Sequence, residues 1–395
     1  MSATILFAKL VFAGPELRPV RNGCVVVEGE RIVSAGPRSS IGRHARGAHT
    51  IDLGDAALLP GFINLHVHLD FDGSGTDFAT IARLMDEQTS TLLAVDSAAR
   101  ALAAGVTTVR DLGNKYAVAI ALREAGLRGW IRAPRIVAAG RAVCMTGGHG
   151  WFAGLESDGP HEMRKAVRHN LKLGADCIKV IATGGVLSPG VEVGSAQLDE
   201  DELAVAVREA HKAGRRVAAH AIANAGVKNA LRAGVDTIEH GCFLDDEAVT
   251  MMKKRGAWYV PTLCAPNAMR GREGLPTYVA RKTEEVYEAH RESFKLALRK
   301  GVQIATGTDA GTPFNGHGDY AIELQLMTDL GMPAERVLRA ASIDAATALG
   351  RSGEIGELTP GAAADIVAVD GDPLRDVGAT RRVRAVMVRG RMNAA

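Results

Sequence analysis

The feature that most constrains the fold of this chain is an eightfold alternation of short apolar runs with helical stretches. The apolar runs are rich in Val, Ile and Thr and occupy residues 61–68, 105–113, 134–140, 176–185, 216–221, 235–241, 257–263 and 302–311. Residues 199–214, between two of them, begin with acids suited to a helix N-terminus and end at Gly214. Alternating strands and helices predict a parallel sheet covered by helices. Eight repeats over roughly 300 residues favour an α/β fold of the closed (β/α)8 TIM-barrel type.

A doubly wound open sheet is the structural alternative for such an alternation. Its dinucleotide-binding form carries a G-x-G-x-x-G segment where a strand passes into a helix, and the sequence has none in that position. The barrel is therefore the expected fold.

The two ends of the chain have a different texture, with short β-rich runs and no helical stretches between them. One run, "GCVVVEGERIVSAGP", begins at Gly23, and similar runs return only at residues 363–374 and 384–392. An isolated pair of hairpins is marginally stable in water. We therefore predict a small discontinuous β-sandwich domain built from residues 1–58 and 358–395, with the barrel formed by residues 59–357.

Composition excludes several classes of function. Among 395 residues, 47 Lys and Arg nearly balance 45 Asp and Glu, and no basic run indicates a nucleic-acid partner. The apolar N-terminus is interrupted by Lys9 and lacks a basic leader region, so a first β-strand is favoured over a signal peptide. No segment approaches the roughly 18 apolar residues of a membrane helix. Five scattered cysteines fit reduced thiols. We expect a cytoplasmic protein, homo-oligomeric and without membrane partners.

Six polar residues stand where the predicted strands should end. In a TIM barrel, the C-terminal strand ends carry the chemistry, and the side chains of alternate strand residues share a face. An H-x-H pair at the end of the first strand therefore points both imidazoles to one side. The six residues are His66, His68, Lys179, His220, His240 and Asp309.

Each of these residues also has a structural interpretation on its own. His220 could be a core histidine, His240 a polar strand end and Asp309 a turn cap. Lys179 is harder to explain. A lysine between two apolar strand residues should be buried, and lysine is almost never fully buried without a partner. A carbamate formed from its amine and carbon dioxide would be an anion able to bridge two cations. Convergence of all six positions at one end of a barrel favours a metal site.

The motifs "HVH", "IKV", "AHA", "IEHG" and "GTDAG" resemble, in order and spacing, those of the amidohydrolase superfamily with a binuclear metal centre. The likeness extends to the C-terminal "GELTPGAAADIVAVDGDPL". Through "GGHG" (147–150) and residues 307–327, the chain is similar to the imidazolonepropionase-related, prolidase-like branch.

The resemblance implies two divalent metal ions, with zinc suited to imidazole and oxygen ligands. It implies that His66, His68 and Asp309 hold one ion, that His220 and His240 hold the other, and that N6-carboxylated Lys179 and a hydroxide bridge them. Two cations lower the pKa of the bridging water.

Catalytic roles follow for residues beside the metals. Asp309 would take the proton of the attacking hydroxide and pass it to the departing nitrogen. His149, in a glycine-rich loop after the third strand, is placed to bond the substrate carbonyl, although an exposed loop histidine is the alternative. His317 is a further candidate for substrate contact. The Gly-rich loop 183–195 could serve as a lid. The remaining histidines, including His290, are expected to be structural or solvated.

The resemblance implies hydrolysis of an amide C–N bond in a small molecule, with dipeptides or N-acyl amino acids as the substrate class. Dipeptide-cleaving relatives tend to carry a tyrosine or other polar residue two positions after the fifth-strand histidine, where it can serve the substrate carboxylate. This sequence has the apolar Ile222 at that position. Aryl amides or carbamates are therefore an alternative substrate class. A mononuclear cyclic-amidine hydrolase or deaminase of the same superfamily is a second alternative, against which Lys179 counts. A non-catalytic scaffold is a third, against which the intact ligand set counts.

Overall fold

The structure, a computed structural model, describes residues 3–75 and 77–393 of the chain. Its β-strands are β1 (Thr4–Ala13), β2 (Arg18–Glu28), β3 (Arg31–Pro37), β4 (His49–Asp52), β5 (Ala56–Pro60), β6 (Phe62–Val67), β7 (Val106–Asp111), β8 (Arg135–Ala138), β9 (Val143–Cys144), β10 (Leu155–Glu156), β11 (Cys177–Ile181), β12 (Arg216–Ala221), β13 (Thr237–His240), β14 (Trp258–Val260), β15 (Ile366–Asp370), β16 (Val383–Val388) and β17 (Arg391–Asn393).

The α-helices are α1 (Phe78–Leu84), α2 (Glu87–Ala103), α3 (Val118–Leu127), α4 (Gly159–Leu173), α5 (Glu200–Lys212), α6 (Asn224–Ala233), α7 (Asp246–Arg255), α8 (Cys264–Met269), α9 (Thr277–Lys300), α10 (Tyr320–Asp329), α11 (Ala334–Ala340) and α12 (Ile343–Ala348). Two short 3-10 segments cover Arg38–Ala45 and Val377–Arg381. None of the helices in the described ranges combines the length and the hydrophobicity that crossing a bilayer requires.

The chain divides into two compact units. The first comprises Met1–Asn64, Ala99–Thr108 and Tyr320–Ala395, and the second comprises Leu65–Ala98 and Val109–Asp319. The predicted domain limits at residues 58 and 358 stay a prediction, and their outermost residues (1, 2, 394 and 395) lie outside the described part of the chain.

The first unit contains an eight-stranded sheet with strands from both chain ends. Its order is β17-β16-β15-β5-β1-β2-β3, and β4 pairs with β1. The antiparallel pairing of β15 with β5, from Ile366 opposite Pro60 to Asp370 opposite Ala56, joins the C-terminal strands to the N-terminal ones. Successive residues of β1 face opposite sides of the sheet, so Ile5 and Leu6 pack into two different apolar clusters.

The second unit contains a six-stranded sheet, β10-β9-β11-β12-β13-β14, with parallel pairing. Helices α5, α6 and α7 connect its successive strands β11 to β14. Helix α5 begins after Asp199 because a capping box with Glu202 satisfies the first backbone N–H groups, which agrees with the predicted helix 199–214. Strands β6, β7 and β8 form a further three-stranded sheet. The predicted alternation of strands and helices is confirmed for this α/β chain.

Seven of the eight predicted runs contain a strand, but the eighth, residues 302–311, forms only isolated parallel bridges. These join Tyr259 to Ile304 and Val67 to Ala310. The backbone is left-handed at Asp309, with φ 58°, and at Gly311, with φ 104°, which interrupts the extended conformation of a strand there. The run still follows the order expected of a barrel, since it contacts both the first and the seventh runs.

Candidate metal centre

The six residues singled out in the sequence come together in the second unit and line one cavity. Lys179 lies within β11, whereas His220 and His240 lie at the ends of β12 and β13. The side chains of His66, Lys179, His220 and His240 are buried, while His68 and Asp309 are partly exposed. A cluster of polar groups in a buried position requires mutual bonding or an ion to stabilise it.

Three of these residues form a candidate cation site. One ligand atom from each of His66, His68 and Asp309 lies within 4.8 Å of the other two. Asp309 Oδ1 is 3.4 Å from His66 Nε2 and 3.3 Å from His68 Nε2. Burial opposes ionisation of Asp309, but the neighbouring imidazoles lower its pKa to about 2, so the carboxylate is charged near neutral pH. The arrangement offers two imidazoles and one anionic oxygen to a divalent ion.

The remaining three residues lie directly beside this site. The ring centroids of His220 and His240 are 4.6 Å apart, and the ring of His240 is 4.9 Å from that of His66. Lys179 Nζ lies 3.2 Å from His66 Nε2. Burial lowers the pKa of Lys179 to about 8, so about a tenth of its amine is neutral near pH 7, far more than for an exposed lysine. The neutral amine is the form that reacts with carbon dioxide to give a carbamate.

A buried ion pair between Glu239 and Arg110 holds the His66 ring through Nδ1. His66 Nδ1 lies 2.9 Å from Glu239 Oε2, and the other Glu239 oxygen accepts a hydrogen bond of 2.8 Å from Arg110 Nη2. Arg110 also donates to the Leu65 carbonyl (2.6 Å) and to Thr237 (3.2 Å). An ionised Glu239 accepts from Nδ1–H, which leaves the Nε2 lone pair of His66 directed at the cation site.

Main-chain carbonyls set the orientation of two further imidazoles. His68 Nδ1 donates to the Gly113 carbonyl at 2.7 Å, so its Nε2 lone pair is available to a cation. His220 Nε2 donates to the Gly184 carbonyl at 3.0 Å, so its Nδ1 lone pair is available to a cation. The two histidines therefore present opposite ring nitrogens to the cavity.

His240 is oriented by a hydroxyl relay. The Thr262 hydroxyl donates to the Pro261 carbonyl at 2.6 Å and lies 2.7 Å from His240 Nδ1, so it accepts from Nδ1–H. Both His240 and Thr262 have left-handed backbones, with φ 70° and 56°. Such backbone conformations are costly for residues other than glycine, and they concentrate at functional sites. The Nε2 lone pair of His240 is thereby left available to a cation.

The buried imidazoles are neutral at physiological pH. Burial lowers the pKa values of His66 and His240 well below the ordinary value for histidine, and it lowers the pKa of His220 to about 3. Neutral imidazoles keep the lone pair that a metal requires. Together with Asp309, the donor set fits a zinc-like ion.

The two residues predicted to contact substrate have different positions. His149 lines the cavity, with its ring centroid 4.4 Å from that of His220, and burial lowers its pKa well below the ordinary value. The structure does not bring His317 into the cavity lining. Its Nε2 instead donates to the Phe71 carbonyl at 2.8 Å, and its side chain is buried. Substrate contact by His317 stays a prediction.

Besides His149, His290 and Thr312, the rest of the cavity wall is mainly apolar. It includes Phe71, Phe78, Phe152, Ile222 and Met269. Within the described ranges, Lys179 is the one lysine or arginine that lines this cavity. The wall is therefore suited to an apolar substrate group and offers no guanidinium to a free carboxylate.

The site contains residues that were not predicted from the sequence. His290, expected to be structural or solvated, is buried and lines the cavity. Its place could have been found from helical periodicity, because Val286 and Phe294, four residues away on each side, are also buried on α9. Glu239 could have been noted because it precedes His240 in a buried strand. Nothing in the sequence pairs it with Arg110.

Comparisons with known proteins agree with this geometry. The profile described as "Amidohydrolase family" matches residues 57–392. Ochratoxinase from Aspergillus niger is 30% identical over 418 aligned positions, covering 97% of this chain and 84% of the relative. The crystal structure of that ochratoxinase has a TM-score of 0.90 at 28% identity, with 99% and 95% of the two chains covered.

Two further crystal structures of relatives cover nearly the whole chain. A Xaa-Pro dipeptidase with methionine bound in its active site has a TM-score of 0.91 at 32% identity, with 100% of both chains covered. A prolidase complexed with N-methylphosphonate-L-proline has a TM-score of 0.91 at 30% identity, with 99% of both chains covered. Such neighbours imply a TIM-barrel-type fold with an additional domain. The chain therefore belongs to the amidohydrolase family, in its prolidase-like branch, and is a hydrolase that acts on C–N bonds.

Proposed function

We propose that this chain is a binuclear metal-dependent hydrolase of amide C–N bonds, built as a closed (β/α)8 barrel with a β-sandwich domain from both chain ends. The observation that carries the proposal is the convergence of His66, His68, Lys179, His220, His240 and Asp309 on one cavity. Parallel bridges from the eighth run to Val67 and Tyr259 support closure of the barrel.

The ligands divide into two sets. His66, His68 and Asp309 would hold one ion, and His220 with His240 would hold the second, each through the ring nitrogen that its other hydrogen bond leaves available. N6-carboxylated Lys179 would bridge the two sets. Two zinc ions bound there would polarise the scissile carbonyl and lower the pKa of a water molecule.

The chain's own residues then handle the proton and the substrate. The ionised carboxylate of Asp309 takes a proton from the attacking water and passes it to the leaving nitrogen. The imidazole of His149 faces the same cavity and donates a hydrogen bond to the substrate carbonyl as negative charge develops there. The phenylalanines of the wall exclude solvent from the reaction.

The substrate proposed is an amide with an apolar or aromatic group beside the scissile bond. The relatives named ochratoxinase and Xaa-Pro dipeptidase support dipeptides, N-acyl amino acids or related amides as the class. The apolar wall and Ile222 favour a second candidate, an aryl amide or carbamate without a free carboxylate.

A hydrolysis screen of the zinc-loaded protein tests both candidates. It compares dipeptides, N-acyl amino acids, aryl amides and aryl carbamates, and it includes cyclic amidines and aminated bases as substrates of the alternative enzyme. Asp309→Asn loaded with zinc is the control. We expect turnover of at least one amide class by the wild type and none by the control. Turnover confined to cyclic amidines or to deamination, with one metal per chain, would replace the proposal with a mononuclear enzyme.

A further inference from the structure

The loop that was predicted to be a lid, residues 183–195, is fastened to α9 by a buried ammonium. Lys282 Nζ donates to the carbonyls of Ser188 (2.8 Å), Gly185 (3.3 Å) and Val191, and the Lys282 residue is 1% exposed. Its three N–H groups thus find three main-chain acceptors. Burying an ammonium is costly unless it is fully hydrogen-bonded, so this contact holds the loop strongly.

Other contacts close the loop on itself and on the same helix. Gly184 N donates to the Ser195 carbonyl at 2.8 Å, which closes the base of the loop. At its exposed edge, Arg281 forms an ion pair of 3.0 Å with Glu192. These contacts fasten the segment, whose Val186 and Leu187 line the cavity, and its role as a lid stays a prediction.

The loop carries a hydroxyl that contacts His149. Ser188 Oγ accepts a hydrogen bond of 3.0 Å from Gly150 N and lies 2.9 Å from His149 Nδ1. The His149 ring also lies against Gly185, where a Cβ atom would come within 2.4 Å of Nε2. Serine on one edge of the ring and glycine on its face therefore fix its position.

We propose that Ser188 and Lys282 are positioning residues that set the tautomer of His149. One lone pair of Ser188 Oγ is taken by Gly150 N–H, and its single proton is donated to His149 Nδ1. The neutral imidazole then carries its proton on Nε2, the atom that bonds the substrate carbonyl. Lys282 holds Ser188 in this place. The inference rests on the role proposed above for His149.

A double-mutant cycle measures whether Ser188 acts through His149. Ser188→Ala should lower kcat by about 10- to 100-fold at unchanged zinc content, within the range of a lost positioning contact. Ser195→Ala is the matched control, because Ser195 Oγ bonds Glu192 O in the same loop, and it should stay within about twofold of wild type. In a His149→Ala background, Ser188→Ala should cause no further loss. An equal loss in that background would overturn the proposal.

The ¹⁵N shifts of the His149 ring give a readout that needs no turnover. We expect an unprotonated Nδ1 and a protonated Nε2 in the wild type and a tautomer mixture in Ser188→Ala. A protonated Nδ1 in the wild type would overturn the proposal. Wild-type kcat in His149→Ala would instead refute the catalytic role of His149. The ring shifts would still decide whether Ser188 sets the tautomer of His149.

Lys282→Met tests the second positioning residue, with Arg281→Met as its control. We expect the lysine variant to show the tautomer mixture and a kcat loss comparable to that of Ser188→Ala, and the arginine variant to show neither. A folded Lys282→Met protein with wild-type ring shifts and kcat would remove Lys282 from the proposal. Should that variant fail to fold, Ser188→Ala decides the outcome.

Discussion

At the scale of single residues, the proposed metal ligand His66 depends on a carboxylate that does not face the cavity. Glu239 accepts from His66 Nδ1 and is itself paired with the buried guanidinium of Arg110. Removing its charge would leave Arg110 buried without a counter-ion and weaken the orientation of His66. We expect Glu239→Gln to weaken zinc binding by about 10- to 100-fold and to destabilise the fold by about 3–5 kcal/mol.

Zinc titration calorimetry and thermal denaturation measure these two effects. Glu247→Gln is the matched control, because Glu247 forms an exposed ion pair with Lys228, and exposed pairs contribute little. Wild-type zinc affinity in folded Glu239→Gln would show that His66 does not need its carboxylate.

Lys179 is the residue on which the binuclear proposal depends most. Lys179→Ala removes the amine that would carry the bridging carbamate, so we expect loss of metal and activity. Short carboxylic acids such as acetate and propionate should restore part of the activity by supplying the missing oxygens, and they should not stimulate the wild type. Full activity of the variant without added acid would refute the bridging assignment.

The sequence could predict the six clustered residues because each follows a simple rule. His66, His220 and His240 stand at or near the ends of buried strands, Lys179 lies within β11, and Asp309 ends the eighth apolar run; a parallel arrangement brings these positions together. Their partners follow no such rule. The contact between Ser188 and His149 joins residues 39 positions apart, and Lys282 lies 94 positions from the Ser188 carbonyl that it bonds. Such pairings arise from tertiary packing, which spacing alone does not encode.

At the scale of elements, strand and helix patterns were predictable where hydrophobic periodicity was strong. Helix α5 agrees with its prediction because an acidic start and Gly214 mark its ends. The eighth run has the composition of a strand but forms isolated bridges, and its backbone becomes left-handed at Asp309. The left-handed turn directs the carboxylate of Asp309 toward His68, so the departure from regular structure belongs to the site.

The capping box of α5 gives a stability prediction at this scale. Asp199 accepts from the N3 backbone N–H, and Glu202 accepts from the Asp199 N–H at 2.8 Å. Asp199→Ala should lower the free energy of unfolding by about 1 kcal/mol, as for other lost caps, and leave kcat unchanged. Chemical denaturation measures the loss. Asp201→Ala, in the same first turn but outside the capping box, should cost less. Equal losses would assign the effect to helix-dipole charge.

At the scale of the whole molecule, strands from the two ends of the chain pair in one sheet. The β-rich runs at both ends of the sequence predicted this pairing. Where the chain divides into units could not be derived, because residues 99–108 group with the terminal segments rather than with their neighbours in sequence. The homo-oligomeric state and the cytoplasmic location stay predictions. The metal content of the whole chain is the property that tests the proposal most directly.

Metal removal should therefore lower the stability of the entire second unit. Without cations, the buried imidazoles and the carbamate oxygens of Lys179 lose the ions that would satisfy their lone pairs. Ions that bind only the folded state stabilise it by mass action, by about 2.7 kcal/mol per site at a free concentration of 100 Kd. We expect chelation to lower Tm and abolish activity, and zinc to restore both at two ions per chain, measured by atomic emission. Restoration at one ion per chain would favour a mononuclear enzyme, and a Tm independent of zinc would contradict a metal site in this cavity.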